Sequence, residues 1–183
     1  MTDIPPCVHV VINDLVRSIE EVIPGLLNGV YLTGSIPLND FHPNKSDIDF
    51  VVLCQKMPNE EEIGRLRNVH QKIQSNYKYP VASGFYITKE CLRLSIGQPC
   101  TITGVHEGKV GVMRWGDGLT AVTLKELKTT AYTFYGIPAQ TLPIEVSDEE
   151  LDHALFENMS SYWRKWIRRH TVVPHRFLLL LLF

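Results

Sequence analysis

The stretch that decides the fold reads Leu32-Thr33-Gly34-Ser35, then a loop, then Lys45-Ser46-Asp47-Ile48-Asp49-Phe50-Val51-Val52-Leu53. Residues 30–33 are a short β-prone run that stops at Gly34-Ser35. Residues 36–46 carry Pro37, Asn39, Asp40, Pro43 and Asn44 and read as a polar, turn-rich loop. Residues 48–53, IDFVVL, are apolar enough to lie inside a sheet. Asp47 and Asp49 stand two apart where that strand begins. Side chains alternate across a strand, so both carboxylates share one face, roughly 6–7 Å apart along the backbone. That spacing suits carboxylates that share a divalent cation or bridge two. Magnesium prefers carboxylate and phosphate oxygens, and two such ions can clamp the attacking and leaving oxygens of a phosphoryl transfer. Gly34, with no Cβ, lets the backbone approach a phosphate closely, and the Ser35 hydroxyl and nearby amides can hydrogen-bond a phosphate oxygen. Taken singly, a DxD pair is as often two solvated carboxylates, and Gly-Ser is an ordinary turn. The joint order is far more specific: β-run, Gly-Ser, polar loop, Ser-Asp-x-Asp, apolar strand.

Upstream of this stretch, Val8, Val11, Ile12, Leu15, Ile19, Val22 and Ile23 form one apolar stripe. They predict an amphipathic helix over residues 7–24, stopped by Pro24-Gly25. Downstream, residues 60–74 predict a second helix with Ile63, Leu66, His70 and Ile73 on one side, and residues 84–88 a third strand. The order is α-β-β-α-β, an α/β (α+β) arrangement with a mixed sheet flanked by helices. Residues 101–114 read as a hairpin around Glu107-Gly108. Thr123-Leu124-Lys125-Glu126 reads as a capping box opening a short helix, and residues 132–135 as an extended segment ended by Gly136. Pro138 and Pro143 mark a linker. Ser147 with Glu150 opens a helix to about Arg169, whose apolar face is Leu151, Leu155, Met159, Tyr162, Trp163 and Trp166. The organisation expected is a domain over 1–137 and a partial helical domain over 147–183.

The chain has 183 residues, 44% hydrophobic and 21% charged, the composition of an ordinary soluble domain. Its formal net charge of -2 gives no basic balance toward nucleic acid. The four cysteines, Cys7, Cys54, Cys91 and Cys100, include no CxxC pair and read as reduced thiols of a cytoplasmic protein. Residues 1–6 carry no secretory pattern. The apolar run 177–183 is too short to span a bilayer; it reads as a helix of a longer helical domain, and its exposure would invite homo-oligomers.

The sequence resembles the polymerase-β-like nucleotidyltransferase superfamily, and within it the streptomycin/spectinomycin (aminoglycoside) adenylyltransferase-like proteins. The family pattern is a hydrophobic residue before Gly-Ser, a loop, then SDID before a hydrophobic strand; here it reads YLTGS and HPNKSDIDFVVL. VTLKELKTTAYTFYGIP and ENMSSYWRKW resemble the family's later segments more weakly. The resemblance implies that Gly34 and Ser35 hold triphosphate oxygens and that Ser46 supports the same loop; Lys45, next to Ser46, reads equally as a charge that neutralises the triphosphate or as a free surface lysine. It implies that Asp47 and Asp49 bind Mg2+. The reaction implied moves AMP from ATP to a hydroxyl of a small, aminoglycoside-like molecule and releases pyrophosphate, with no nucleic acid or membrane partner. The sequence departs from the family in two ways. Family enzymes carry a third carboxylate on the next strand, where this chain has Ser83 or Gly84, and Glu90 and Glu107 are the nearest acids downstream. The family's helical domain is also longer. Two further readings therefore stand: a catalytically weak or inactive nucleotide-binding module, and an antitoxin-like nucleotidyltransferase acting on a protein.

Other residues carry a plain reading beside a sharp one. His70 is a packed histidine before it is a catalytic one. His42 is a solvated loop residue or a phosphate contact. Trp163 and Trp166 are core or cleft. Arg164, Lys165, Arg168 and Arg169 are a basic helix end. Trp115 precedes the turn Gly116-Asp117-Gly118, and His106 and Glu107 fall in the hairpin turn.

Overall fold

Pro6 opens the first helix, α1 (Pro6–Val22), where its missing N–H costs nothing and its fixed φ suits the first turn. Val8, Val11, Ile12, Leu15 and Ile19 form its buried stripe, as the sequence spacing requires. The computed structural model describes residues 4–93, 100–114 and 119–170. Trp115, the Gly116-Asp117-Gly118 turn and the apolar run 177–183 lie outside the described residues.

After α1 come β1 (Leu27–Leu32), β2 (Ile48–Cys54), α2 (Glu60–Asn76), β3 (Ala82–Thr88), β4 (Thr101–His106), β5 (Lys109–Arg114), α3 (Ala121–Thr129) and β6 (Tyr132–Gly136). α2 starts at a complete capping box: Asn59 accepts from the Glu62 amide, and the Glu62 carboxylate accepts from the Asn59 amide. The strands form one six-stranded mixed sheet in the order β5-β4-β3-β2-β1-β6. β2 and β3 are parallel, joined through α2, and the other neighbours are antiparallel. The α/β expectation therefore holds, with helices flanking the sheet.

Alternation along the strands divides the core in two. Ile48, Phe50, Val52 and Cys54 of β2 face α1 and α2, in a cluster with Ile12, Leu15, Leu66 and Ile73. Val51 and Leu53 face the other way, in a cluster with Tyr31, Ile87, Leu124, Leu127 and Ala131. α3 thus covers the face that the odd-numbered residues of β2 point to. His70 lies in the first cluster, 2% exposed, with its Nε2 2.7 Å from the Tyr86 hydroxyl and its ring stacked on Phe50. Burial pushes its pKa down to about 4, so it is a neutral packing residue.

Three expectations are corrected. The N-cap of α3 is Thr120, whose side chain accepts from the Thr123 amide. The helix therefore begins three residues before the Thr123 cap expected, and Glu126 sits inside it rather than closing a capping box. The helix opened by Ser147 is capped as expected, by Ser147 and Glu150, and runs unbroken to His170, but its hydrogen bonding is not α-helical throughout. It runs as α4 (Asp148–Glu157), a π-helical stretch (Asn158–Trp163) and α5 (Arg164–His170). Its large apolar side chains, Met159, Trp163 and Trp166 among them, are exposed. Finally, Cys91 and Cys100 are disulfide-bonded, their Cα atoms 6.1 Å apart, whereas Cys7 and Cys54 are free. The end of β3 and the start of β4 are hydrogen-bonded neighbours, which brings the two cysteines together despite the spacing.

The chain divides into two compact units, Met1–Val146 and Ser147–Phe183. Among the described residues no helix is long and apolar enough to cross a membrane.

Candidate active site

β1 ends at Leu32, and the chain turns at Gly34, where φ is +66°. The Thr33 amide still donates to the Asp49 carbonyl, 3.0 Å away. The Gly34 turn and the start of β2 are thereby held side by side. A Cβ at residue 34 would lie 2.2 Å from Asp49 Oδ2, so the close approach requires glycine as firmly as the positive φ does. The loop that follows is pinned at two points. The Asp40 amide donates to the Ser35 carbonyl at 3.0 Å, and the Ser46 amide to the His42 carbonyl at 2.8 Å. Ser46 Oγ in turn accepts from the His42 amide at 3.0 Å. Ser46 thus closes the loop directly before Asp47. The His42 ring lies 3.4 Å from the Asp40 carboxylate, a loop contact that turns it to its neighbour.

Asp49 is half-buried on the face covered by α3, and Asp47 is exposed at the strand's start. Burial, then the charge of Asp47, then that of Glu126 push the Asp49 carboxyl up to about 6. No ion pair among the described residues involves Asp47, Asp49 or Glu126. A carboxylate crowded by two others and lacking a cation has the electrostatics of a divalent-cation site. The donor chemistry fits Mg2+, which binds through one or two carboxylates with phosphate oxygens and water completing the shell. Among the described residues no group of three His, Cys, Asp or Glu converges to hold a metal.

A cavity of about 700 Å³ opens beside Asp49. Thr33, Gly34 and Asp49 line one side, and Ser83, His106 and Lys109 continue along its floor. That floor follows from strand register. Asp49 pairs with Ser83 across β2 and β3, Ser83 Oγ lies 3.4 Å from His106 Nδ1, and His106 pairs with Lys109 in the hairpin. Thr123 and Glu126 of α3 form the wall above it.

Of the residues expected at the site, Gly34 and Asp49 line this cavity; Ser35, Lys45, Ser46 and Asp47 stand in the adjoining loop and at its junction with β2. The two candidates for the missing third carboxylate are now distinguished. Ser83 faces the cavity, whereas a side chain at Gly84 would put Cβ 2.0 Å from the Phe50 carbonyl oxygen. Glu107 sits in the β4–β5 turn and does not line the cavity. Sequence reasoning missed Glu126, hidden by the misplaced helix start. It also left aside His106, which register alone would have put in line with Asp49.

Residues 12–96 match the family model described as nucleotidyltransferase domain. The fold is similar to that of spectinomycin adenyltransferase AAD(9) from Enterococcus faecialis, solved with ATP and spectinomycin. The TM-score is 0.65 at 14% identity, over 83% of this chain and 66% of that one. The chain thus spans about two thirds of that enzyme's length. A toxin–antitoxin structure with AMP-PNP overlaps at a TM-score of 0.38 and 16% identity, over 87% of this chain and 93% of that one. A complex of a HEPN toxin with MNT antitoxin from Shewanella oneidensis overlaps at 0.36 and 13%, over 90% and 94%. No curated protein matches the chain in sequence.

Proposed function

We propose that this chain is a magnesium-dependent adenylyltransferase that moves AMP from ATP to a hydroxyl of a small, aminoglycoside-like molecule. The single observation that carries the reading is the contact of the Gly34 turn with Asp49 at the mouth of the cavity. That contact supports the reading because backbone suited to phosphate and a carboxylate suited to a metal share one hydrogen-bonded corner. Gly34, Ser35 and the amides of their turn take the triphosphate oxygens, Ser46 fixes the loop, and Lys45 offsets charge from its outer side. Asp47 and Asp49 hold Mg2+, which when bound would neutralise charge on the triphosphate and its leaving pyrophosphate. Positioning of the two substrates supplies most of the rate. The cavity's volume suits a small acceptor better than a protein segment. That a spectinomycin adenyltransferase shares the fold supports the acceptor class.

The test is pyrophosphate release from Mg·ATP with a panel of aminoglycosides. Release that depends on one acceptor and is lost in an Asp47→Ala/Asp49→Ala double variant supports the reading; a double variant as active as the parent sinks it. One observation favours a second reading, a nucleotide-binding module without turnover: Ser83, where family enzymes carry a carboxylate, cannot take a proton near neutral pH. Tight Mg·ATP binding with no pyrophosphate from any acceptor would support that alternative.

A further inference from the structure

We infer that Glu126 of α3 takes the proton from the acceptor hydroxyl, supplying from the cavity's upper wall the carboxylate that β3 lacks at Ser83. The inference rests on the nucleotidyltransferase reading of the site and adds a residue to it.

Leu124 and Leu127 are buried in the cluster beneath α3 and fix the helix's rotation. Thr123 and Glu126, one turn apart, consequently line the cavity. Glu126 is close enough to Asp49 for its charge to be felt there. Glu126 and Asp49 line the same cavity of about 700 Å³. An acceptor hydroxyl bound there would lie between the α-phosphate held near Asp49 and the Glu126 carboxylate. No ion pair among the described residues occupies that carboxylate, and burial raises its proton affinity, as suits a general base.

His106 is the rival base. By register it lies two strands from Asp49, roughly 10 Å at ~4.8 Å per strand. The step balances without a further reactant. The acceptor O–H bond breaks and its proton passes to Glu126. The acceptor oxygen bonds to the α-phosphorus, and the bond from that phosphorus to the bridging oxygen breaks, releasing pyrophosphate.

The experiment compares the full chain with Glu126→Gln, His106→Asn and the Asp47→Ala/Asp49→Ala double variant. Calorimetry follows binding of Mg2+ with the non-hydrolysable analogue AMPCPP, and pyrophosphate release is followed with Mg·ATP and the aminoglycoside panel. The expected result is that Glu126→Gln keeps the affinity for Mg·AMPCPP and loses about 10²–10⁴-fold in kcat. Turnover as fast as the parent's, or lost analogue binding in Glu126→Gln, overturns the inference. So does a large loss in His106→Asn with none in Glu126→Gln, or a parent chain that binds the analogue and never releases pyrophosphate. If the double variant binds the analogue as the parent does, or neither binds it, the reading of the site itself fails.

Discussion

Gly34 leaves room for Asp49: a Cβ on residue 34 would stand 2.2 Å from Asp49 Oδ2. Backbone conformation and side-chain contact make the same demand, since φ at residue 34 is +66°. Gly34→Ala is therefore expected to destabilise the fold by about 1–3 kcal/mol and to displace the Asp49 carboxylate. Chemical denaturation reads the first effect. Mg·ATP affinity at least tenfold weaker than the parent's reads the second, and unchanged affinity would contradict the contact's role.

Asp49 costs the metal-free fold stability. Its carboxyl rises from 3.8 to about 6, through burial first and then the charges of Asp47 and Glu126. The folded chain holds this proton where the unfolded chain has lost it, so the group costs stability as pH rises from about 4 to about 6. That rise corresponds to at most ~3 kcal/mol. Asp49→Asn should accordingly raise the Tm of the metal-free protein at pH 7.5 while removing Mg·ATP binding. A lower Tm would contradict the electrostatic account.

His70 contributes with the opposite sign over nearly the same window. Burial lowers its pKa from 6.5 to about 4, so the unfolded chain binds the extra proton there, and stability is lost as pH falls through that range. In the parent the two groups offset each other between about pH 4 and 6. Removing the Asp49 contribution with Asp49→Asn should expose the His70 slope: stability rising steeply with pH from about 4 to 6.5. Equilibrium denaturation at half-unit pH steps measures it, and a flat profile in that variant would contradict the assignment.

Ser83 stands beside Asp49 in register across β2 and β3. Ser83→Glu would add a carboxylate next to one already crowded by two others. The expected outcome is a lower Tm without Mg2+, larger stabilisation by Mg2+ than in the parent, and tighter Mg2+ binding. Thermal melts with and without 10-fold steps of Mg2+ distinguish this from a simple loss of stability.

Much of this was legible in the residues, and the exceptions have physical reasons. The stripe from Val8 to Ile19, the apolar run IDFVVL and the Gly-Ser turn each carry a strong local signal, and each became the element expected. The first turn of α3 did not, because Thr120 and Thr123 are both competent caps and only packing of Leu124 and Leu127 selects Thr120. That three-residue error concealed Glu126. His106 was passed over because a place next to a turn says nothing of which face its side chain takes, which strand pairing with β3 decides. The pairing of Cys91 with Cys100 is likewise set by neighbouring strands and not by spacing.

The central claim is that the Gly34 turn and the Asp47/Asp49 pair together bind a metal-complexed nucleoside triphosphate. Calorimetric titration of the parent chain and the Asp47→Ala/Asp49→Ala variant with ATP, in Mg2+ and in EDTA, tests it most directly. The account predicts binding by the parent in Mg2+ alone, with affinity lost in EDTA and in the double variant. Equal binding by parent and variant, or binding indifferent to EDTA, would contradict it.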